Sequence, residues 1–337
     1  MNHENMKSDM EPTTGKLSRR SLLAAGAMLP LAGGAWAQSG VGRIVVGFAA
    51  GGAADGLARL AADKLRGVVA PSVVVENRIG AGARIAIEYV KNSPPDGTTM
   101  VLVPDATMFL YPHVYKELRY DPAKDFTPVT RLISMSLVMY VGPGVPASVK
   151  TIKDYVEWAK SNPKNLVYGT PAAGATPHFT GAMFAKAAGL DLEPVHYKGG
   201  APAIQDLVAG QVPVAFGSTS DGIAMVQAGK ARALAVSSAR RTTMFPDVPT
   251  FTELGFKDLV VEDGLGVYVP SKTPADAVAR LNAGLQAALK TKDLQTPIRD
   301  WGFDVSAEAS TEFNERLSRE RGRWQGIVKA TGFTAME

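Results

Sequence analysis

Residues 44–55 read Ile44-Val45-Val46-Gly47-Phe48-Ala49-Ala50-Gly51-Gly52-Ala53-Ala54-Asp55. β-branched residues open the segment as a buried strand, a pair of glycines turns the chain, and a helix begins at once. Free N–H groups at such a helix start form a site for carboxylate, phosphate or sulfate. Glycines let a ligand approach the backbone with no Cβ in the way. The segment is neither G-x-G-x-x-G nor a P-loop, which would need Lys followed by Ser or Thr. The same residues also read as an ordinary strand–helix turn in which Asp55 complements the helix dipole. Both readings stand at this point.

Outward from that segment, short apolar strands alternate with amphipathic helices. Strands are predicted over 44–48, 73–75, 100–103, 137–141, 166–168, 212–216, 233–237 and 266–269. Their Val/Ile/Leu content suits burial on both faces of a mainly parallel sheet. A helix over 52–66 sets Leu57, Ala61 and Leu65 on one face. Thr151-Ile152-Lys153-Asp154 resembles a capping box ahead of the stripe Ile152, Tyr155, Val156 and Ala159. Thr273-Pro274 opens another helix, striped by Val278, Leu281, Leu285 and Leu289. Phe313, Leu317, Trp324 and Val328 mark a last one. This alternation predicts an α/β protein with helices on both sheet faces.

With 337 residues the chain exceeds one small doubly wound sheet, so two domains are expected. The boundaries are placed at strand exits. Residues 41–139 plus 240–337 form a discontinuous first domain and 140–239 a second, and the two crossovers serve as a hinge.

The N-terminus sets the compartment. Ser18-Arg19-Arg20-Ser21-Leu22-Leu23 precedes an uncharged run over 22–35 and then Ala35-Trp36-Ala37. That is the order of a secretory signal with its cleavage site, and the paired arginines suggest twin-arginine export. The apolar run is shorter than the ~20 residues a membrane span needs. Residues 1–37 are therefore read as a signal peptide cleaved near Ala37, giving a periplasmic protein. The chain has no cysteine, which excludes a lipoprotein anchor, disulfides and thiolate metal sites. The net charge of +4 is small, and Arg316 to Arg323 is interrupted by Glu320, a solvated helix face rather than a nucleic-acid patch.

Further segments follow predicted strands. Tyr168-Gly169-Thr170-Pro171-Ala172-Ala173-Gly174-Ala175-Thr176-Pro177-His178 repeats the logic of the first, with Thr176-Pro177 as a helix start. Ligands in open α/β sheets bind at the carboxyl ends of strands, where both segments fall. His178 either donates to a carboxylate or satisfies backbone near the helix start. Pro104-Asp105-Ala106-Thr107, Tyr197-Lys198-Gly199-Gly200 and Ser218-Thr219-Ser220-Asp221 are read as turns that could also line a pocket. Arg78 and Arg84 flank Gly80-Ala81-Gly82, to approach an anion or to hold the loop through Glu76. Catalytic patterns are missing: there is no G-x-S-x-G elbow, and His113, His178 and His196 lack metal-ligand spacing.

Taken in order, these segments resemble the receptors of tripartite tricarboxylate transporters, also called the Bug family. The marks are Phe48 to Asp55, then Val75-Glu76-Asn77-Arg78-Ile79-Gly80-Ala81-Gly82, and Pro94-Pro95-Asp96-Gly97. Tyr197-Lys198-Gly199-Gly200, Asp206 to Gln211, Ala231 to Val236 and Pro246 to Gly255 follow. The resemblance implies a type II periplasmic-binding-protein fold, with two doubly wound domains that close on a small carboxylate. It implies delivery to the membrane permease subunits of a secondary transporter, no cofactor, no metal and no catalysis, and action as a monomer. On that likeness Phe48, Gly51, Gly52 and Asp55 form the first-domain loop, and Thr170, Gly174, Thr176 and His178 the second. Asp105, Thr107, Tyr197, Gly199, Gly200 and Asp221 line the pocket. Ala49-Ala50, Ala54 and Arg84 depart from the usual pattern. Other readings left open are a ligand sensor for a membrane kinase and an exported hydrolase or isomerase.

Overall fold

The alternation read from the sequence resolves into ten strands in the computed structural model, which describes residues 40–163 and 166–337. The signal-peptide and twin-arginine readings fall outside the described residues. The strands are β1 (Val41–Val46), β2 (Ser72–Asn77), β3 (Thr99–Pro104), β4 (Phe126–Val141) and β5 (Val167–Thr170). They continue with β6 (Glu193–His196), β7 (Val214–Ser218), β8 (Arg232–Val236), β9 (Glu262–Pro270) and β10 (Asp304–Val305).

Sheet order is β2-β1-β3-β9-β4-β7-β5-β6, with β8 and β10 also pairing with β4. β1 is parallel to β2 and β3, and β5 to β6 and β7. β9 runs antiparallel to β3 and β4, and β4 antiparallel to β7 and β8. The sheet is thus mixed rather than mainly parallel, because β4 and β9 carry the chain between its two halves against the direction of their neighbours.

β4 is the spine. Its residues up to Ser136 pair with β9, and from Leu137 onward they pair with β7. Only 137–141 of this strand is legible in the sequence, since Thr127, Pro128, Thr130, Arg131, Ser134 and Ser136 break the apolar run. Those polar groups are accommodated individually. Register shifts fall at Pro128/Thr130 and Arg131/Ile133, and Thr130 Oγ1 donates to the Glu308 carbonyl at 2.6 Å.

Alternate strand residues feed separate cores on the two faces. Ile44, Val46, Met100 and Leu102 pack against the helices Ala53–Leu65 and Ala275–Leu289, using the expected Leu57, Ala61, Leu281 and Leu285. Val45, Val101 and Val103 pack on the other face against Arg84–Lys91 and Ser310–Ala330. In the second half, Met139, Val141 and Phe216 meet the helices Ile152–Ser161 and Thr176–Ala188. Val138, Tyr140 and Ala215 meet Gly200–Val208.

The register fixes where the strands point. Val46 of β1 lies level with Leu102 of β3, and Pro104 of β3 with Leu265 of β9, which faces Ile133 of β4. From the other side, Ser218 ends β7 opposite Leu137. The carboxyl ends of β3 and β7 therefore bracket residues 133–137 of β4, with the end of β1 level with Thr130 and that of β5 level with Met139.

Candidate ligand-binding crevice

The first loop leaves β1 under tight constraint. A Cβ on Gly47 would lie 2.3 Å from the Ala83 Cβ, so only glycine permits this approach. Gly51 has φ +88°, the left-handed region. Gly52 is extended and is the N-cap of Ala53–Leu65, which has no side-chain cap. A Cβ on Gly51 would meet nothing within 4 Å, and one on Gly52 nothing nearer than the Ala49 carbonyl at 3.8 Å. The helix start is open, and the Phe48 side chain is partly exposed beside it.

Asp55, expected among the ligand contacts, is occupied within the loop. Arg59 donates to it from Nε at 2.9 Å and Nη2 at 3.0 Å, Asn77 Nδ2 at 2.9 Å, and the Gly51 amide at 3.0 Å. The Arg59 hydrogen bond above all, opposed by burial and helped by Gly51 and Asn77, holds this carboxyl down at about 2. Asn77 also donates to the Phe48 carbonyl at 3.0 Å, so Asp55 and Asn77 together shape the loop.

Asp105 and Thr107, also expected at the pocket, are fully buried. Asp105 Oδ2 lies 2.9 Å from Arg131 Nε and 3.0 Å from Arg316 Nη2, and its Oδ1 accepts from Tyr268 at 3.0 Å. Thr107 donates to the Pro104 carbonyl at 2.7 Å. A carboxylate already balanced by two guanidinium groups belongs to the interior, not to a binding surface. Arg131 and Asp263 were not among the expected site residues, since a charge inside an apolar strand carries no signal of the partner that will meet it.

In the second half, Thr170 ends β5 with its Oγ1 buried and without a hydrogen-bond partner among the described residues. Its carbonyl accepts the Tyr197 amide at 2.9 Å, and the Pro171 carbonyl the Gly199 amide at 2.9 Å, which joins two of the expected segments. Gly199, at φ +116°, opens Gly200–Val208 with no side-chain cap. A Cβ on Gly200 would stand 2.0 Å from Asp221 Oδ1, so Gly200 and Asp221 are in direct contact. Burial raises the Asp221 pKa, and its Oδ2 accepts the Ser218 amide at 2.7 Å in a capping box. The Tyr197 hydroxyl points away to Asp206 at 2.8 Å.

Gly174, at φ +69°, donates its amide to His178 Nδ1 at 3.1 Å, which leaves the ring proton on Nε2. Burial first, and His196 second, depress the His178 pKa to about 4. The neutral imidazole thus takes the backbone-satisfying role. Phe333 and Met336 close over Gly174. Thr176 opens Thr176–Ala188, behind Ala175 and without a side-chain cap, and donates from Oγ1 to Asp263 Oδ2 at 3.2 Å. Arg78 pairs with Glu76 at 2.6 Å, and the Arg84 guanidinium stacks on Tyr115 at 3.9 Å. A separate groove of about 1060 Å³ lies away from the strand ends, between Met183, Leu254, Phe256 and Ile327, and no helix begins there.

Three helices without side-chain caps thus follow the carboxyl ends of β1, β5 and β6. The model of the tripartite tricarboxylate transporter family receptor matches residues 57–333. The chain belongs to this family. The receptor is similar to the periplasmic binding protein BugD, at 30% identity and TM-score 0.73, covering 88% of this chain and 99% of that one. It is similar to R. palustris Rpa4515, solved with adipate, at 30% identity and TM-score 0.76, covering 88% and 98%. MatC from Rhodopseudomonas palustris, solved with malate, matches at 28% identity and TM-score 0.71, covering 86% and 98%. The fold is that of periplasmic binding proteins, and the family is one of receptors rather than enzymes. Among the described residues no helix is long and apolar enough to cross a membrane.

Proposed function

We propose that this receptor captures a small carboxylate outside the cytoplasm, in the crevice at the middle of β4, and hands it to the permease subunits of a tripartite-type secondary transporter. What supports the reading is that three helices without side-chain caps, starting at Gly52-Ala53, Ala175-Thr176 and Gly199-Gly200, each follow the carboxyl end of a strand. Each offers a free backbone amide at its first residue and the positive end of a helix dipole, although Pro177 has no N–H and the His178 amide is taken by the Ala175 carbonyl. Such a site suits an anion that no full positive charge neutralises. The buried, unpartnered Thr170 hydroxyl adds a donor beside them. Relatives solved with adipate and malate support the dicarboxylate class.

In this reading Phe48, Gly51, Gly52, Thr170, Thr176 and Gly199 surround the ligand. Asp55, His178 and Asp221 hold the loops that present them. The parts 41–139 plus 240–337 and 140–239 act as the two jaws. Ligand contact with both favours the closed population, and the β4 and β8–β9 crossovers bend. Export through residues 1–37 and action as a monomer complete the account.

The test is a thermal-shift screen of the purified receptor with mono-, di- and tricarboxylates and acidic amino acids. A ligand that binds only the native state raises the melting temperature. A clear, concentration-dependent rise with one carboxylate class is the expected result. No shift with any acid would overturn the reading.

A further inference from the structure

Asp263 stands at the start of β9, where the two halves meet, and it touches both. Its Oδ1 accepts the Gly264 amide at 2.8 Å and the Ala106 amide at 3.2 Å, from the loop after β3. Its Oδ2 accepts Thr176 Oγ1 at 3.2 Å, from the first residue of the helix that follows the second ligand loop. The side chain is 7% exposed, and no Lys, Arg or His forms a salt bridge to it among the described residues.

The charges around it are unbalanced. Asp105 approaches from the end of β3, Glu262 and Tyr268 lie on β9 itself, and Tyr111 on the short helix Tyr111–Val114. Arg131 on β4 and Arg316 on the last helix are the cations, and both are already engaged by Asp105 and Glu308. With Asp263 ionised, Asp105, Glu262, Asp263 and Glu308 face two guanidinium groups beside a crevice read as receiving another negative charge. Burial first, and the Asp105 carboxylate second, push the Asp263 carboxyl up to about 6.

We propose that Asp263 is a positioning residue for the ligand loop, and that it takes up a proton when a carboxylate is captured. When Asp263 is ionised, the Thr176 hydroxyl donates to Oδ2 and its proton is committed. When Asp263 is protonated, the carboxylic acid donates to Thr176 Oγ1, and the Thr176 O–H turns to the incoming carboxylate. One proton enters from solvent, no covalent bond changes, and the excess negative charge falls by one. The inference rests on the carboxylate reading above.

The experiment is calorimetric titration with malate, whose second carboxyl is mostly ionised at the lower value and whose own proton loss is subtracted, at about pH 6 and about pH 8 in buffers of different ionisation enthalpy. The parent should bind roughly threefold or more weakly at the higher pH and take up a measurable fraction of a proton there. In Asp263→Asn the amide Oδ1 keeps both N–H bonds, and Nδ2 donates to Thr176 as the protonated acid would. That variant should bind equally at both values and release the proton linkage. Thr176→Val should weaken binding and flatten the pH profile, which keeps the test intact if the Asn variant fails to fold. Parent binding independent of pH, or an Asn variant with the parent's slope, would overturn the inference alone. Absence of binding by every carboxylate at either pH would overturn the capture reading and this inference with it.

Discussion

Four donors from three residues meet on the Asp55 carboxylate, and of those residues only Arg59, which supplies two, lies on the next turn of the same helix. Asp55→Ala would strand the Gly51 amide and the Asn77 side chain, with an expected loss of about 1–3 kcal/mol in denaturant unfolding. The sign of the acid dependence follows from its depressed pKa. Its contribution is present above the ordinary carboxylate value of 3.8 and is lost as pH falls toward about 2, so the parent and Asp55→Ala should converge in stability at strongly acid pH. Asp263 has the opposite sign. Its raised pKa means the folded state resists ionisation, so stability falls as pH rises from 3.8 through about 6, and Asp263→Asn should remove that decline in a melting profile. An acid at a helix start was legible in residues 51–55, but its partner Asn77 comes after a whole strand and helix. The internal roles of Asp105 and Asp263 depend on Arg131, Arg316 and Thr176, which sequence distance hides.

Elements whose signal is local were legible. The capping box at Thr151 is present: Thr151 Oγ1 accepts the Asp154 amide at 3.1 Å, and Asp154 accepts the Thr151 amide at 2.9 Å. Thr151→Ala should cost about 1 kcal/mol, measurable by denaturant titration, with ligand affinity unchanged because this helix start lies away from the crevice. The stripes Val278, Leu281, Leu285, Leu289 and Phe313, Leu317, Trp324, Val328 are buried as their period requires. What escaped the reading has a physical cause. The first part of β4 carries Thr, Ser and Arg because each finds a tertiary partner. β6 is a four-residue edge strand with Pro194, and β10 has only two residues, too short for any periodic signal.

For the whole molecule, one strand, β4, holds both halves in a single sheet and sets the ends of β1, β3, β5 and β7 toward its own middle. Alternation of strand and helix made the α/β class legible, while the reversal of β4 and β9 belongs to chain connectivity and left no mark on composition. Carboxylate capture depends on an anion being held at the open helix start after β1. Calorimetric titration of Gly52→Asp against the parent, with whichever carboxylate the screen selects, tests it most directly. Gly52 is extended at φ −80°, ψ 169°, a conformation aspartate adopts readily as an N-cap. The variant should therefore melt within a few degrees of the parent while its own carboxylate occupies the amides, and affinity should fall by about 100-fold or more. A folded Gly52→Asp protein that binds as tightly as the parent would contradict the claim.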